Sequence, residues 1–220
     1  MADNTLNFLD DYCERSGLAG FGAEPINTYS NIAFLIAAIL LAIRWYNHPR
    51  YSVKNSLDIM LLIATIGAIS VGSGLWHAYA TRTYLLADVI PIAIFMNAFL
   101  LVYMIRVLQL KPLLALVLWI IFQAVTITSE VFLPASTLNG TIMYVPAYCS
   151  LLLLLWASKQ QRITTYHYML WATLLWSLSL VARTIDLEVC MHIQIGTHFL
   201  WHILNACVLY FLTLAIIKSR

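Results

Sequence analysis

The chain has 220 residues, 62% of them apolar and only 10% charged. Ordinary soluble domains carry about 25% charge, so a soluble globular domain is excluded and an integral membrane protein is indicated. The net charge of +2, without any basic run, gives no footing for nucleic acid. Met1 to Leu9 is polar and slightly acidic. It lacks a basic n-region followed by an apolar core, so no cleaved signal peptide is expected.

A membrane span needs about 20 mainly apolar residues. Seven stretches approach this: Thr28–Tyr46, Leu57–Trp76, Tyr84–Leu108, Pro112–Leu133, Thr141–Trp156, Tyr168–Val181 and Gly196–Ile217. The breaks between them are short and polar, as at Asn47-His48-Pro49-Arg50, Thr81-Arg82-Thr83, Lys111-Pro112 and Ser158 to Arg162. The predicted fold is therefore all-α, a bundle of seven transmembrane helices. A segment over 1–27 precedes a membrane domain over 28–220. No internal repeat is seen, and the leucine run Leu151–Leu155 reads as a lipid-facing helix segment.

With seven spans the loops alternate sides. Arg44, Arg50, Lys54, Arg106, Lys111, Lys159, Arg162, Lys218 and Arg220 fall on one side, and Arg15, Arg82 and Arg183 on the other. The richer side is cytoplasmic by the positive-inside rule. This predicts an outside N-terminus and a cytoplasmic C-terminus.

The topology also sorts the six histidines. His48 and His167 fall on the cytoplasmic side, where they read as solvated or headgroup-facing. His77, His192, His198 and His202 fall at or near the outer end. His198 and His202 lie four residues apart, so on a helix they share a face. Polar groups inside a span are expensive and mark a site by default. A short turn joins the second and third spans, which brings His77 and Asp88 to similar depth. Ser73 lies one turn below His77 on its face.

Three neutral imidazoles suit zinc and leave a position open for water. Bound zinc lowers the pKa of that water to about 7. A carboxylate such as Asp88 can then move its proton, and a hydroxyl such as Ser73 can steady the developing oxyanion. Blander readings stand beside these. Ser73, between Gly72 and Gly74, also fits small-residue helix packing. His192 is either a fourth ligand or a solvated loop residue.

The four cysteines, at 13, 149, 190 and 207, form no CxxC pair, which argues against a thiolate metal site. Cys149 and Cys207 lie in apolar runs and read as small buried hydrophobes. Cys13 and Cys190 both fall outside. A disulfide between them would pin the N-terminal segment over the last outer loop, in a compartment that permits it.

At these residues the chain resembles the alkaline ceramidase family. That family sits in a wider group of seven-span hydrolases that includes adiponectin-receptor-like proteins. The likeness rests on Asp11-Tyr12-Cys13-Glu14, on Glu24-Pro25-Ile26-Asn27-Thr28-Tyr29-Ser30-Asn31, and on Ser73-x-x-x-His77 with Asp88 eleven residues on. Arg183-x-x-Asp186-x-x-x-Cys190 and His198-x-x-x-His202 complete it. The resemblance implies zinc held by His77, His198 and His202, with Ser73 and Asp88 assisting a zinc-activated water. The implied reaction cleaves the amide of ceramide to a sphingoid base and a fatty acid.

The resemblance also implies calcium on the N-terminal segment. Asp11, Glu14 and Glu24 are hard oxygen donors, and the Tyr12 carbonyl and Ser16 would complete a site. This chain departs from the animal pattern there: Tyr12 replaces a Trp, Ser16 an Asn, and the stretch before Glu24 is short and rich in glycine. A solvated acidic segment is the alternative.

The leading expectation is thus a zinc-dependent intramembrane amidohydrolase acting on ceramide or a related N-acyl lipid. The alternatives are a hydrolase of another acyl lipid bond and a seven-span receptor with a structural zinc. A retinal protein would need a Schiff-base lysine within the last span, where the only lysine is the terminal Lys218. A transporter would show paired broken helices or repeated halves, which are not seen.

Overall fold

The computed structural model describes residues 12–15, 21–134 and 136–219. Helices dominate, and no strand occurs among the described residues. They are α1 (Pro25–Ser30), α2 (Ile32–Tyr46), α3 (Leu57–Tyr79), α4 (Arg82–Val102), α5 (Pro112–Phe132), α6 (Val145–Gln160), α7 (Tyr166–Thr184) and α8 (His198–Ile217). Among the described residues, six helical segments are long and apolar enough to cross a membrane: Pro25–Tyr46, Leu57–Tyr79, Arg82–Val107, Pro112–Phe132, Thr141–Gln160 and His198–Ile217.

The sixth expected span, Tyr168–Val181, falls in α7, a 19-residue helix that is not among these six. Its Trp, Tyr, Ser and Thr content leaves it less apolar than the other six. Those same side chains are used inside the bundle. Ser179 and Thr173 are buried, and Ser177 meets the Tyr148 hydroxyl at 2.7 Å.

The first span begins three residues earlier than expected, because Pro25 opens α1 at a position where a missing N–H costs nothing. Asn31 separates α1 from α2. Its carbonyl accepts from the Ser70 hydroxyl at 2.8 Å, and its side-chain amide donates to the Asn27 carbonyl at 2.8 Å. The third span ends in a π-helical turn, Tyr103–Val107. There Tyr103 is fully buried and its hydroxyl meets Ser158 at 2.7 Å.

Helices α3 and α4 form one tightly packed pair, and α7 and α8 another. Pro91, inside α4, lacks the N–H that would bond the Ala87 carbonyl. That carbonyl faces Gly72 of α3, where a Cβ would overlap it. Glycine at 72 thus lets the two backbones approach until Ser73 and Asp88 stand side by side.

The main apolar core runs along the bundle axis through Leu41, Ile59, Leu62, Ile66, Phe95 and Met169, all buried. Tyr51, in the loop before α3, reaches the Ile217 carbonyl at 3.2 Å, tying that loop to the end of α8. Desolvation, with Lys218 and Arg50 nearby, lowers the pKa of His48 at this end.

Cys149 and Cys207 are exposed, which corrects the reading of both as buried. Lipid is as apolar as a protein core, so an apolar run alone does not say which of the two a residue faces. The leucine run divides in the same way. Leu151 and Leu154 are buried, whereas Leu152 and Leu153 are exposed.

Candidate metal centre

The end of α3 and the start of α8 meet at one end of the bundle. His77, His198 and His202 are all buried there. Each offers one ligand atom, and these atoms lie within 4.8 Å of one another. Ring centroids are 5.1 Å apart for His77 and His198, 4.6 Å for His77 and His202, and 4.7 Å for His198 and His202.

Nitrogens on the inward side lack protein partners: His77 Nε2 and His198 Nδ1 are buried without a hydrogen bond. The outward nitrogens are held. His77 Nδ1 is 2.6 Å from Glu24 Oε2, and His202 Nδ1 is 2.7 Å from Ser30 Oγ. Ligating histidines regularly carry such a partner on the far nitrogen, which fixes ring and tautomer. The donor set and its orphaned nitrogens fit a divalent metal such as zinc.

Helix α8 is positioned by Asp186, which is fully buried. Its Oδ1 accepts the backbone N–H groups of Thr197 and His198 at 2.6 and 2.8 Å, satisfying orphan donors at the helix start. Its Oδ2 accepts Cys13 N–H at 3.0 Å. Gly196, at φ +62°, makes the turn into α8, and a side chain there would strike Asp186 and Cys13. Cys13 and Cys190 form a disulfide with Cα atoms 5.4 Å apart.

The disulfide and Asp186 together seat Tyr12 over the triad. Its ring centroid is 4.0 Å from that of His198 and 4.9 Å from that of His77. Burial pushes the Tyr12 hydroxyl up to about 12, and the Arg183 cation acts against that. The Arg183 guanidinium lies between three aromatic rings, 6.0 Å from Tyr12, 5.6 Å from Tyr144 and 5.3 Å from Trp201.

Two cavities adjoin. The polar one holds about 450 Å³ of empty space, and its lining includes Ser73, Asp88, Arg183, His198 and His202. Asp88 Oδ1 is buried there without a hydrogen-bond partner, and the Ser73 hydroxyl lies beside the Asp88 carboxyl. The second is larger, about 800 Å³, and almost wholly apolar. Phe34, Ile69, Ile92, Tyr144 and Trp201 line both. From that junction the apolar cavity extends past Phe99 and Leu154 to Leu212.

The five sequence candidates Ser73, His77, Asp88, His198 and His202 are thus brought together. His192 is exposed in the loop before α8 and is no part of the triad. Of the calcium candidates, Asp11 and Ser16 lie outside the described residues. Glu14 caps α1, its two oxygens accepting the N–H groups of Ile26 and Asn27 at 2.7 and 2.8 Å. Glu24 is buried against Arg15, Asn27 and His77. Burial pushes its carboxyl upward, and Arg15 and Asn27 draw it back.

Sequence reasoning missed four residues of the site. Ser30 and Asp186 were visible only as members of motifs, Arg15 only as a charge on the outer side, and Arg183 as both. The available signal was a carboxylate, an amide and a hydroxyl at Glu24, Asn27 and Ser30, crowded into the mouth of an apolar span.

The fold and the site define a multi-pass integral membrane protein with a three-histidine centre buried at one end of its helical bundle. Over residues 10–220 the chain matches the family model described as Ceramidase, and it belongs to the ceramidase family. Membership implies a hydrolase acting on amide bonds of a lipid substrate. No curated protein and no solved structure matches the chain.

Proposed function

We propose that this protein is a zinc-dependent intramembrane amidohydrolase that cleaves ceramide to a sphingoid base and a fatty acid. The buried triad His77, His198 and His202 carries the reading, together with the cavity it shares with Ser73 and Asp88. His77, His198 and His202 would hold the zinc ion, which when bound would supply a Lewis acid and a water activated at neutral pH.

The chain's own residues do the rest. Asp88 takes a proton from the attacking water and delivers it to the leaving amine. Ser73 donates a hydrogen bond where negative charge gathers on the carbonyl oxygen. Glu24 and Ser30 hold the rings of His77 and His202 in register. The apolar cavity accepts an acyl chain through the junction at Tyr144 and Trp201, placing the amide at the polar end.

In this reading α7 also spans, giving seven crossings with the N-terminus outside and the C-terminus cytoplasmic. The loops and helix ends away from the triad hold Arg44, Arg50, Lys54, Arg106, Lys111, Lys159, Arg162 and Lys218, which supports that orientation.

Purified protein should release fatty acid from ceramide. His198→Ala should abolish release while circular dichroism shows the helices intact, and undiminished hydrolysis by that variant refutes the mechanism. Asp88→Asn leaves the metal ligands in place and should cost about 10²–10⁴-fold in rate. A metal with a purely structural role would leave activity untouched by that change.

A further inference from the structure

Glu14 and Glu24, the two described carboxylates of the expected calcium site, already have protein partners. Calcium takes six to eight oxygen ligands. Each oxygen of Glu14 accepts a backbone N–H at the start of α1, and both oxygens of Glu24 have partners in Arg15, Asn27 and His77. A cation is also present. Arg15 is fully buried, and its Nε donates to Glu24 Oε1 at 2.7 Å. Its Nη2 donates to the His77 backbone carbonyl at 3.2 Å.

The order of contacts is Arg15, then Glu24, then His77 Nδ1, with His77 Nε2 turned inward. The guanidinium thus grips His77 at two points: directly through its carbonyl, and through the carboxylate that holds its ring. Arginine suits this position because its planar fork presents several donors in fixed directions. A buried guanidinium needs a charged partner, and a buried carboxylate equally so. A calcium ion on Glu24 would have to share one carboxylate with that guanidinium.

We propose that Arg15 is a positioning residue for the metal centre, a tethered cation that holds Glu24 against His77 where a calcium ion was expected, so that the centre forms without calcium. This rests on the three-histidine metal reading but not on ceramide as substrate.

The test uses the full-length chain in detergent and two probes, zinc alone and calcium alone. Zinc affinity is measured by competition with a chromophoric chelator. Arg15→Met should weaken it by about 10–100-fold, the range typical of lost second-layer support. Arg15→Lys keeps the charge but not the fork and should fall between the two. Calcium is measured by equilibrium uptake and by the thermal midpoint of wild-type protein, and neither should differ between excess calcium and a calcium chelator.

Saturable uptake of one calcium per chain that raises the midpoint overturns the proposal. So does full zinc affinity in Arg15→Met. Should Arg15→Met fail to fold, Arg15→Lys and Glu24→Gln decide: unchanged zinc affinity in both overturns it, and weakened affinity in both supports it. Neither probe involves lipid hydrolysis, so failure of the ceramide assay would be read separately.

Discussion

Ser30 illustrates how a small side chain acquires weight from its position. Its hydroxyl is 2.7 Å from Nδ1 of His202 and 2.8 Å from the Asn27 carbonyl. With Asn27 as acceptor, the hydroxyl is fixed in direction, and the imidazole is fixed in turn. Ser30→Ala removes this hold without adding bulk, so folding should be nearly unaffected. Zinc affinity should fall by roughly tenfold, at the low end for the loss of a second-layer partner. Chelator competition reads the first, and the thermal midpoint of metal-free protein reads the second. Glu24 works on the same logic for His77, with a charge in place of a hydroxyl.

At the scale of the element, the pair α3 and α4 sets the distance between Ser73 and Asp88. Gly72 and Gly74 look alike in sequence but differ in surroundings. A Cβ at 72 would overlap the Ala87 carbonyl, whereas one at 74 meets only the Thr28 carbonyl and Asn31 Cβ at 3.9 and 4.0 Å. Gly72→Ala should therefore separate the helices and cost about 1–3 kcal/mol, in the range of overpacked cores. Amide hydrolysis should fall with it as Asp88 retreats. Gly74→Ala should be tolerated in both respects, and it should gain slightly from helix propensity. Thermal unfolding of the two variants side by side checks the contrast. Equal behaviour would mean that the close approach does not govern the site.

For the whole molecule, the decisive link is between the first described residues and the last loop. The Cys13–Cys190 disulfide spans a sequence separation of 177 residues. With the Asp186 bond to Cys13 N–H, it seats Tyr12 on the histidines and Arg15 beside Glu24. Cys13→Ser should lower stability by about 2–4 kcal/mol, and zinc should exchange faster once the N-terminal cover is loosened. Reductant should reproduce both effects in the wild type and neither in the variant. Midpoint shifts and zinc-release rates with and without reductant check this.

Composition and hydropathy by themselves determined the membrane class and the helical fold. Spacing determined that His198 and His202 share a face and that Ser73 and His77 do likewise. These are local properties, written in periods of three and four residues. The expected alternation of crossings carried the inference one step further, since it puts the end of α3 and the start of α8 on one side. Tertiary structure alone decided what each carboxylate does. Asp11, Glu14 and Glu24 look equivalent as acidic residues near the N-terminus. Of the two described, Glu14 caps a helix and Glu24 braces a histidine. It also decided which apolar residues face lipid, as at Cys149 and Cys207. The physical reason is the same in both cases. A carboxylate's role is set by the donor that reaches it from elsewhere in the chain, and a hydrophobe's by which neighbour covers it, and neither is encoded within a single turn of helix.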